Sequence, residues 1–183
     1  MTRILTLFLI VFSIVSCKRD KSSKSFESIS ITQFKMDNCS IRAIHSVSSD
    51  TLYYADSQGN IGHTFNNGKS WSKTSIKYKD SLTPNFRSIA VNNDTIFTLS
   101  VANPALLYKT FNGSTQLVYK EEHSKVFYDS MYFLEDGKRA IAIGDPTDNC
   151  PSIIISSDYG NTWCKLSCTQ LPDFEEGEAF FCR

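Results

Sequence analysis

Apolar and polar residues alternate with a period of two along most of this chain, in short runs broken by Gly, Asn, Asp and Ser. Thr51-Leu52-Tyr53-Tyr54-Ala55 and Ile61-Gly62-His63-Thr64 are two such runs. Period two places successive side chains on opposite faces, so these segments predict strands buried on one side. More continuous apolar stretches, residues 41–47 and 127–134, predict the strands most enclosed by neighbours. In the last third, residues 139–144, 152–156 and 163–166 complete a set of four strands, with Gly144-Asp145-Pro146-Thr147-Asp148 as the turn between its second and third members. The fold class expected is all-β, built from four-stranded antiparallel units.

The strand pattern repeats. Thr64-Phe65-Asn66-Asn67-Gly68-Lys69-Ser70-Trp71, Thr110-Phe111-Asn112-Gly113-Ser114-Thr115 and Ser156-Ser157-Asp158-Tyr159-Gly160-Asn161-Thr162-Trp163 begin 46 residues apart in each step. A second series keeps the same beat: Arg42-Ala43-Ile44, Arg87-Ser88-Ile89, Asp129-Ser130-Met131 and Glu178-Ala179-Phe180 are each charged, small, then large and apolar, at spacings of 45, 42 and 49. These triads are expected on the innermost strand of each unit. A four-strand unit of ~40–50 residues has the period of a propeller blade.

The segment from Ser156 to Trp163 resembles the Asp box of sialidases, sortilin-type receptors and photosystem II assembly-factor-like propellers. The first segment has Asn in place of Asp, and the second lacks a residue and the Trp. In such a turn the Asp or Asn oxygen bonds nearby amides, the Ser or Thr hydroxyl adds a local bond, Gly takes the left-handed conformation, and Trp packs under the turn. Thr64, Asn66, Gly68, Trp71, Ser156, Asp158, Gly160 and Trp163 are therefore expected to be structural. From about residue 40 onward the chain resembles the sialidase-type Asp-box (BNR) propeller proteins of Bacteroidetes, also through Phe127-Tyr128-Asp129-Ser130-Met131 and Glu176-Gly177-Glu178-Ala179. The resemblance implies a β-propeller, about three and a half blades of it in residues 26–183. A ring closes with four to eight blades, so a C-terminally truncated part of a longer protein is expected, with assembly of short chains into a ring as the other reading.

The first 17 residues have a different grammar. One Arg precedes a twelve-residue run, residues 4–15, in which Thr6 and Ser13 alone are polar. That is too short to span a bilayer, where a helix needs ~20 residues, and it fits a secretory signal. Ile14-Val15-Ser16-Cys17 resembles the bacterial lipobox, which implies lipidation of Cys17. An ordinary signal peptide with an incidental cysteine would show the same run. Residues 18–25 are polar and are expected to be a tether. An exported lipoprotein follows, on the periplasmic side or the outer-membrane surface.

Export permits disulfides. Reflection through the turn near residue 159 sets Cys150 opposite Cys168, as a bridge or as two buried thiols. Cys164 and Cys168 have no histidine nearby, so no metal site is expected.

The chemistry left over is sparse. Lys+Arg and Asp+Glu number 19 each, which gives no charge excess for nucleic acid. No glycine-rich dinucleotide fingerprint occurs and no cofactor is expected. Arg42, Arg87, Asp129 and Glu178 hold equivalent places on four inner strands and would ring the axis, as a binding funnel or as mutually paired charges. Arg42, Arg87, Asp145 and Asp148 are the ligand-binding candidates, although 144–148 is turn chemistry first. The expected role is a lipid-anchored binding or assembly module for a protein or glycan. The alternative is a sialidase-like glycoside hydrolase using Tyr128, Asp129 and Glu178, without a recognisable arginine triad.

Overall fold

The structure, a computed structural model, describes residues 27–36 and 38–172. The chain divides into two units, Met1–Phe34 and Lys35–Arg183. In the first, residues 27–34 carry no helix or strand, and Ile29 and Ile31 are exposed. The described residues of the second form twelve strands in three antiparallel sheets of four.

The first sheet is β1 (Ile41–Ser46), β2 (Leu52–Asp56), β3 (Asn60–Thr64) and β4 (Ser72–Ser75). The second is β5 (Asn85–Asn92), β6 (Thr95–Val101), β7 (Ala105–Phe111) and β8 (Ser114–Glu121). The third is β9 (Tyr128–Phe133), β10 (Ala140–Thr147), β11 (Cys150–Ser156) and β12 (Cys164–Lys165). Each sheet is a meander in chain order. β1 lies beside β5 and β5 beside β9, so the sheets stack face to face with their first strands together. These are three blades of a β-propeller, and the triads at 42–44, 87–89 and 129–131 lie on the three inner strands. Cys17 and the triad at 178–180 lie outside the described residues.

The stacking explains the hydrophobic pattern. Between the first two blades, Ala43, Ala55 and Ile61 meet Phe86, Ile89, Leu106 and Tyr108. Between the second and third, Phe97, Leu99 and Leu107 meet Met131, Ala142, Ile154 and Trp163. The middle blade is covered on both faces, so β7 begins Ala105-Leu106-Leu107-Tyr108 with every residue buried. Leu106 and Tyr108 serve one interface while Ala105 and Leu107 serve the other. On the first blade's outward face Gly62 leaves room for the Tyr54 ring, since a Cβ there would lie 2.0 Å from it.

Two expectations need correction. Residues 144–148 do not form a loop, because β10 runs through Thr147, which pairs with Cys150. The turn is Asp148-Asn149 alone, both left-handed at φ 54° and 59°, as a two-residue hairpin turn requires. The register shifts between Gly144 and Thr147, and Pro146 sits in that irregularity, where its missing N–H breaks no ladder bond. The outer strand of the third blade is also shorter than the expected 163–166: Trp163 precedes it, and Leu166 retains a bond from its N–H to the Ile153 carbonyl at 2.9 Å. Cys168 therefore lies on a 3-10 turn, Cys168–Gln170, rather than on a strand.

Candidate functional site

The turn between β11 and β12 is built from side chains that serve their own backbone. Ser156 Oγ donates to Asp158 Oδ1 at 2.9 Å and accepts from the Gly160 N–H at 3.0 Å. Asp158 accepts from the Thr162 N–H at 2.9 Å and from its hydroxyl at 2.7 Å. Those bonds hold the Asp158 carboxyl below the usual carboxylate range. The Trp163 indole N–H donates to the Gly160 carbonyl at 3.2 Å. The turn between β3 and β4 repeats this: Thr64 Oγ1 donates to Asn66 Oδ1 at 3.0 Å and accepts from Gly68 N–H at 3.0 Å, and Ser70 N–H donates to Asn66 Oδ1 at 2.9 Å. One bond reverses, because the Asn66 amide donates to Ser70 Oγ at 2.8 Å where Thr162 donates to a carboxylate. Between β7 and β8, Asn112 and Gly113 at φ 49° and 75° make a two-residue turn instead. The side chains of Ser156, Asp158, Thr64 and Asn66 are occupied within their own turns, so they serve the backbone rather than a ligand.

The axial charges are different. The first triad positions bring Arg42, Arg87 and Asp129 onto one groove of about 240 Å³, floored by Ala43, Ser88 and Ser130. Arg87 pairs with Asp129 at 2.8 Å and covers the Phe127 ring at 5.3 Å. Burial raises the Asp129 carboxyl above the usual carboxylate range; Arg87 opposes this, and Asp145 adds to it. Arg42 is exposed, and no ion pair among the described residues engages it. Ser88 Oγ accepts from the Met131 N–H at 2.9 Å and ties the second inner strand to the third.

The remaining candidates scatter. Asp145 is close enough to Asp129 to act on its charge, and its N–H donates to the Phe127 carbonyl at 2.7 Å. Asp148 projects from the hairpin tip to His123 at 3.2 Å. The two carboxylates thus belong to separate places. Among the described residues no cluster of three His, Cys, Asp or Glu suits a metal. Tyr128 does not border the groove. It is wholly buried, and its hydroxyl donates to Glu121 Oε2 at 2.7 Å. Glu178 lies outside the described residues. A disulfide joins Cys150 and Cys168, with 5.5 Å between Cα atoms.

Tyr128 leads to a cluster that sequence reading missed. Glu121, the last residue of β8, also accepts from the Tyr119 hydroxyl at 2.7 Å and from Lys165, whose ammonium donates to Thr147 Oγ1 at 2.8 Å. Burial would raise the Glu121 carboxyl, but the bonds from Lys165, Tyr128 and Tyr119 together hold it below the usual range. Burial pushes both tyrosines up. Five polar groups, Glu121, Tyr119, Tyr128, Lys165 and Thr147, are bonded to one another across the second and third blades, so this is a clasp. A larger cavity of about 400 Å³ lies on the first blade's outward face, between Tyr54, Trp71, Asn60 and Lys73. It is remote from the axial charges. Its carboxylate, Asp56, is occupied by Gln58 N–H, Asn60 N–H and the Asn60 amide at 2.8, 3.0 and 2.9 Å.

No protein-family model and no curated protein matches this chain. Solved structures do. The structure of YCF48 bound to D1 peptide is 16% identical, with a TM-score of 0.54 over 69% of this chain and 40% of that one. YCF48 from Cyanidioschyzon merolae is 11% identical, with a TM-score of 0.51 over 70% of this chain and 37% of that one. An ancestral GH74 enzyme is 22% identical, with a TM-score of 0.52 over 69% of this chain and 18% of that one. The likeness is one of fold, and this chain spans no more than 40% of the length of these proteins.

Proposed function

We propose that this protein is a binding module, held at the cell envelope by a lipid on Cys17, whose axial groove engages an acidic segment of a protein partner. The observation that carries the reading is the pairing state of the groove. Arg87 is neutralised by Asp129, whereas Arg42 stands exposed a strand away. An exposed guanidinium beside a second one fits a carboxylate through paired hydrogen bonds. The groove of about 240 Å³ is small for a whole ligand and suits one side chain or a chain terminus. No aromatic ring is among its lining residues, so it lacks a surface for stacking a sugar. YCF48, which shares the fold, has been solved with a peptide. A photosystem-assembly-like role in presenting or assembling a partner is the family-level form of this proposal.

The hydrolase alternative has less support. With Tyr128 sealed against Glu121, it would rest on Asp129 and Glu178. It predicts that Asp129→Ala abolishes turnover of a fluorogenic glycoside by a folded protein; absence of turnover in the parent ends it.

Calorimetric titration with an acidic hexapeptide bearing a free C-terminal carboxylate tests the binding reading. Arg42→Glu should abolish binding, and Asp129→Asn, which frees Arg87, should strengthen it. Burial raises the Asp129 carboxyl, so on acidification it takes up a proton and releases Arg87 before the peptide's ordinary carboxylates are protonated, and affinity should rise over that interval before it falls. Equal affinity in Arg42→Glu and the parent would refute the site. Loss of acyl mass from the mature chain in Cys17→Ala would test the anchor, and a parent chain without acylation would remove it.

A further inference from the structure

Each sheet turns from its third strand to its fourth on one side of the blade stack, and each of those turns carries an exposed ring. Phe65 is 60% exposed, Phe111 46% and Tyr159 54%. In a meander the third-to-fourth turn falls on the side where the first strand ends. Two bonds record this: the Asn67 N–H donates to the Asp50 carbonyl and the Tyr159 N–H to the Lys138 carbonyl, both at 2.9 Å. Arg42, Arg87 and Asp129 stand near the starts of β1, β5 and β9, so the axial groove lies toward the opposite side.

We propose that these three rings seat the propeller on a lipid bilayer, entering its headgroup layer and leaving the axial groove directed away from it. The spacing of the rings favours lipid over a protein surface. Among the described residues no aromatic pair joins any two of the three, whereas a protein interface packs its anchors into one continuous core. Separate rings at one level suit a fluid layer that closes around each of them. The turns beneath the rings also tolerate partial desolvation. The Asp158 carboxylate is bonded to Ser156 and Thr162, and the Asn66 side chain to Thr64 and Ser70, so these groups keep their partners as the tips leave water. Residues 65–71, 111–114 and 157–162 hold two charged side chains, Lys69 and that same Asp158. The turns that leave the inner strands lie on the same side but nearer the axis. They carry both signs, with Asp50, Asp94, Glu135 and Asp136 beside Lys138 and Arg139. No field of one sign dominates this side, so the contact is apolar rather than electrostatic.

The full-length protein with phosphatidylcholine vesicles tests this, with tryptophan as the probe. In Phe65→Trp and in Phe111→Trp the added emission should shift to the blue on vesicles, and brominated acyl chains should quench it roughly twofold or more, as for an indole at headgroup depth. Trp71 and Trp163 of the parent set the background. Tyr132→Trp replaces a ring that is 65% exposed on a sheet face rather than at a turn, and it should show neither effect. Raising salt from about 0.1 M to 1 M, which screens exposed charges, should leave the quenching unchanged. Quenching of Tyr159→Trp should fall roughly threefold once Phe65→Ser and Phe111→Ser remove the other two apolar tips. An acyl chain on Cys17 predicts none of these differences between sites, so their failure would leave the anchor standing. Turn tryptophans that stay solvent-like on vesicles overturn the proposal, as does equal quenching at Tyr132→Trp. So do quenching that salt abolishes and a full-length chain that leaves the vesicles unbound.

Discussion

At the scale of single residues, the two long turns show how little a side chain must change for its role to persist. Asn66 and Asp158 accept the same amide at the same distance, and differ in whether the following hydroxyl receives or gives a proton. The difference has a pH consequence. Asp158 is held below its unfolded value near 4. Its contribution is therefore full above that value and is lost as pH falls through the lowered folded one. The Thr162 amide should lose exchange protection in acid before the Ser70 amide does; simultaneous loss would contradict the assignment. Gly160 is the least replaceable member, at φ 77° with a Cβ position 2.4 Å from the Phe97 ring. Gly160→Ala should cost about 2 kcal/mol or more in urea denaturation. These turns were legible in the sequence because the side-chain bonds of Thr64, Asn66, Ser156 and Asp158 all close within eight residues. The place of Tyr128 was not, because its partner Glu121 is separated from it by a loop with no pattern of its own.

At the scale of elements, the third blade is secured at its outer edge by two devices. The clasp ties β8 to β12 through Glu121 and Lys165, and the disulfide ties β11 to the turn beyond β12. Glu121→Gln should cost about 1–2 kcal/mol, since the buried carboxylate is the group that both tyrosine hydroxyls and Lys165 donate to and the amide loses the charge assistance of those bonds. Because the folded Glu121 carboxyl is lowered, the parent should lose this advantage as pH falls below about 4.5, and the two proteins should converge in acid. Reducing the disulfide, which spans 18 residues, should lower stability by about 3 kcal/mol in the chain-entropy account. Denaturant midpoints with and without reductant measure it. Strand positions were readable from period-two alternation, but the extent of β10 was not. Gly144, Asp145 and Pro146 are turn residues by type, and here they serve a register shift inside a strand.

At the scale of the whole molecule, stability comes from burying one blade on the next, because each sheet alone leaves an apolar face in water. Phe97, fully buried between the second and third blades against Phe133 at 4.7 Å, is the sharpest probe. Phe97→Ala should cost about 3–5 kcal/mol and should unfold both blades together; a change confined to one blade would show that the stack is not cooperative. The repeat of 46 residues announced the blades and which strand is innermost. It did not announce how the inner charges pair, since Arg42, Arg87 and Asp129 share a position in sequence and differ in what stands beside them in space. That difference decides where an anionic partner is received. The direct measurement is an NMR titration of the labelled chain with the acidic hexapeptide, beside a neutral peptide of the same length. Shifts should gather at Arg42, Arg87, Ser88 and Ser130 and be absent with the neutral peptide; shifts centred on the outward face of the first blade, or none, would contradict the axial groove as the binding site.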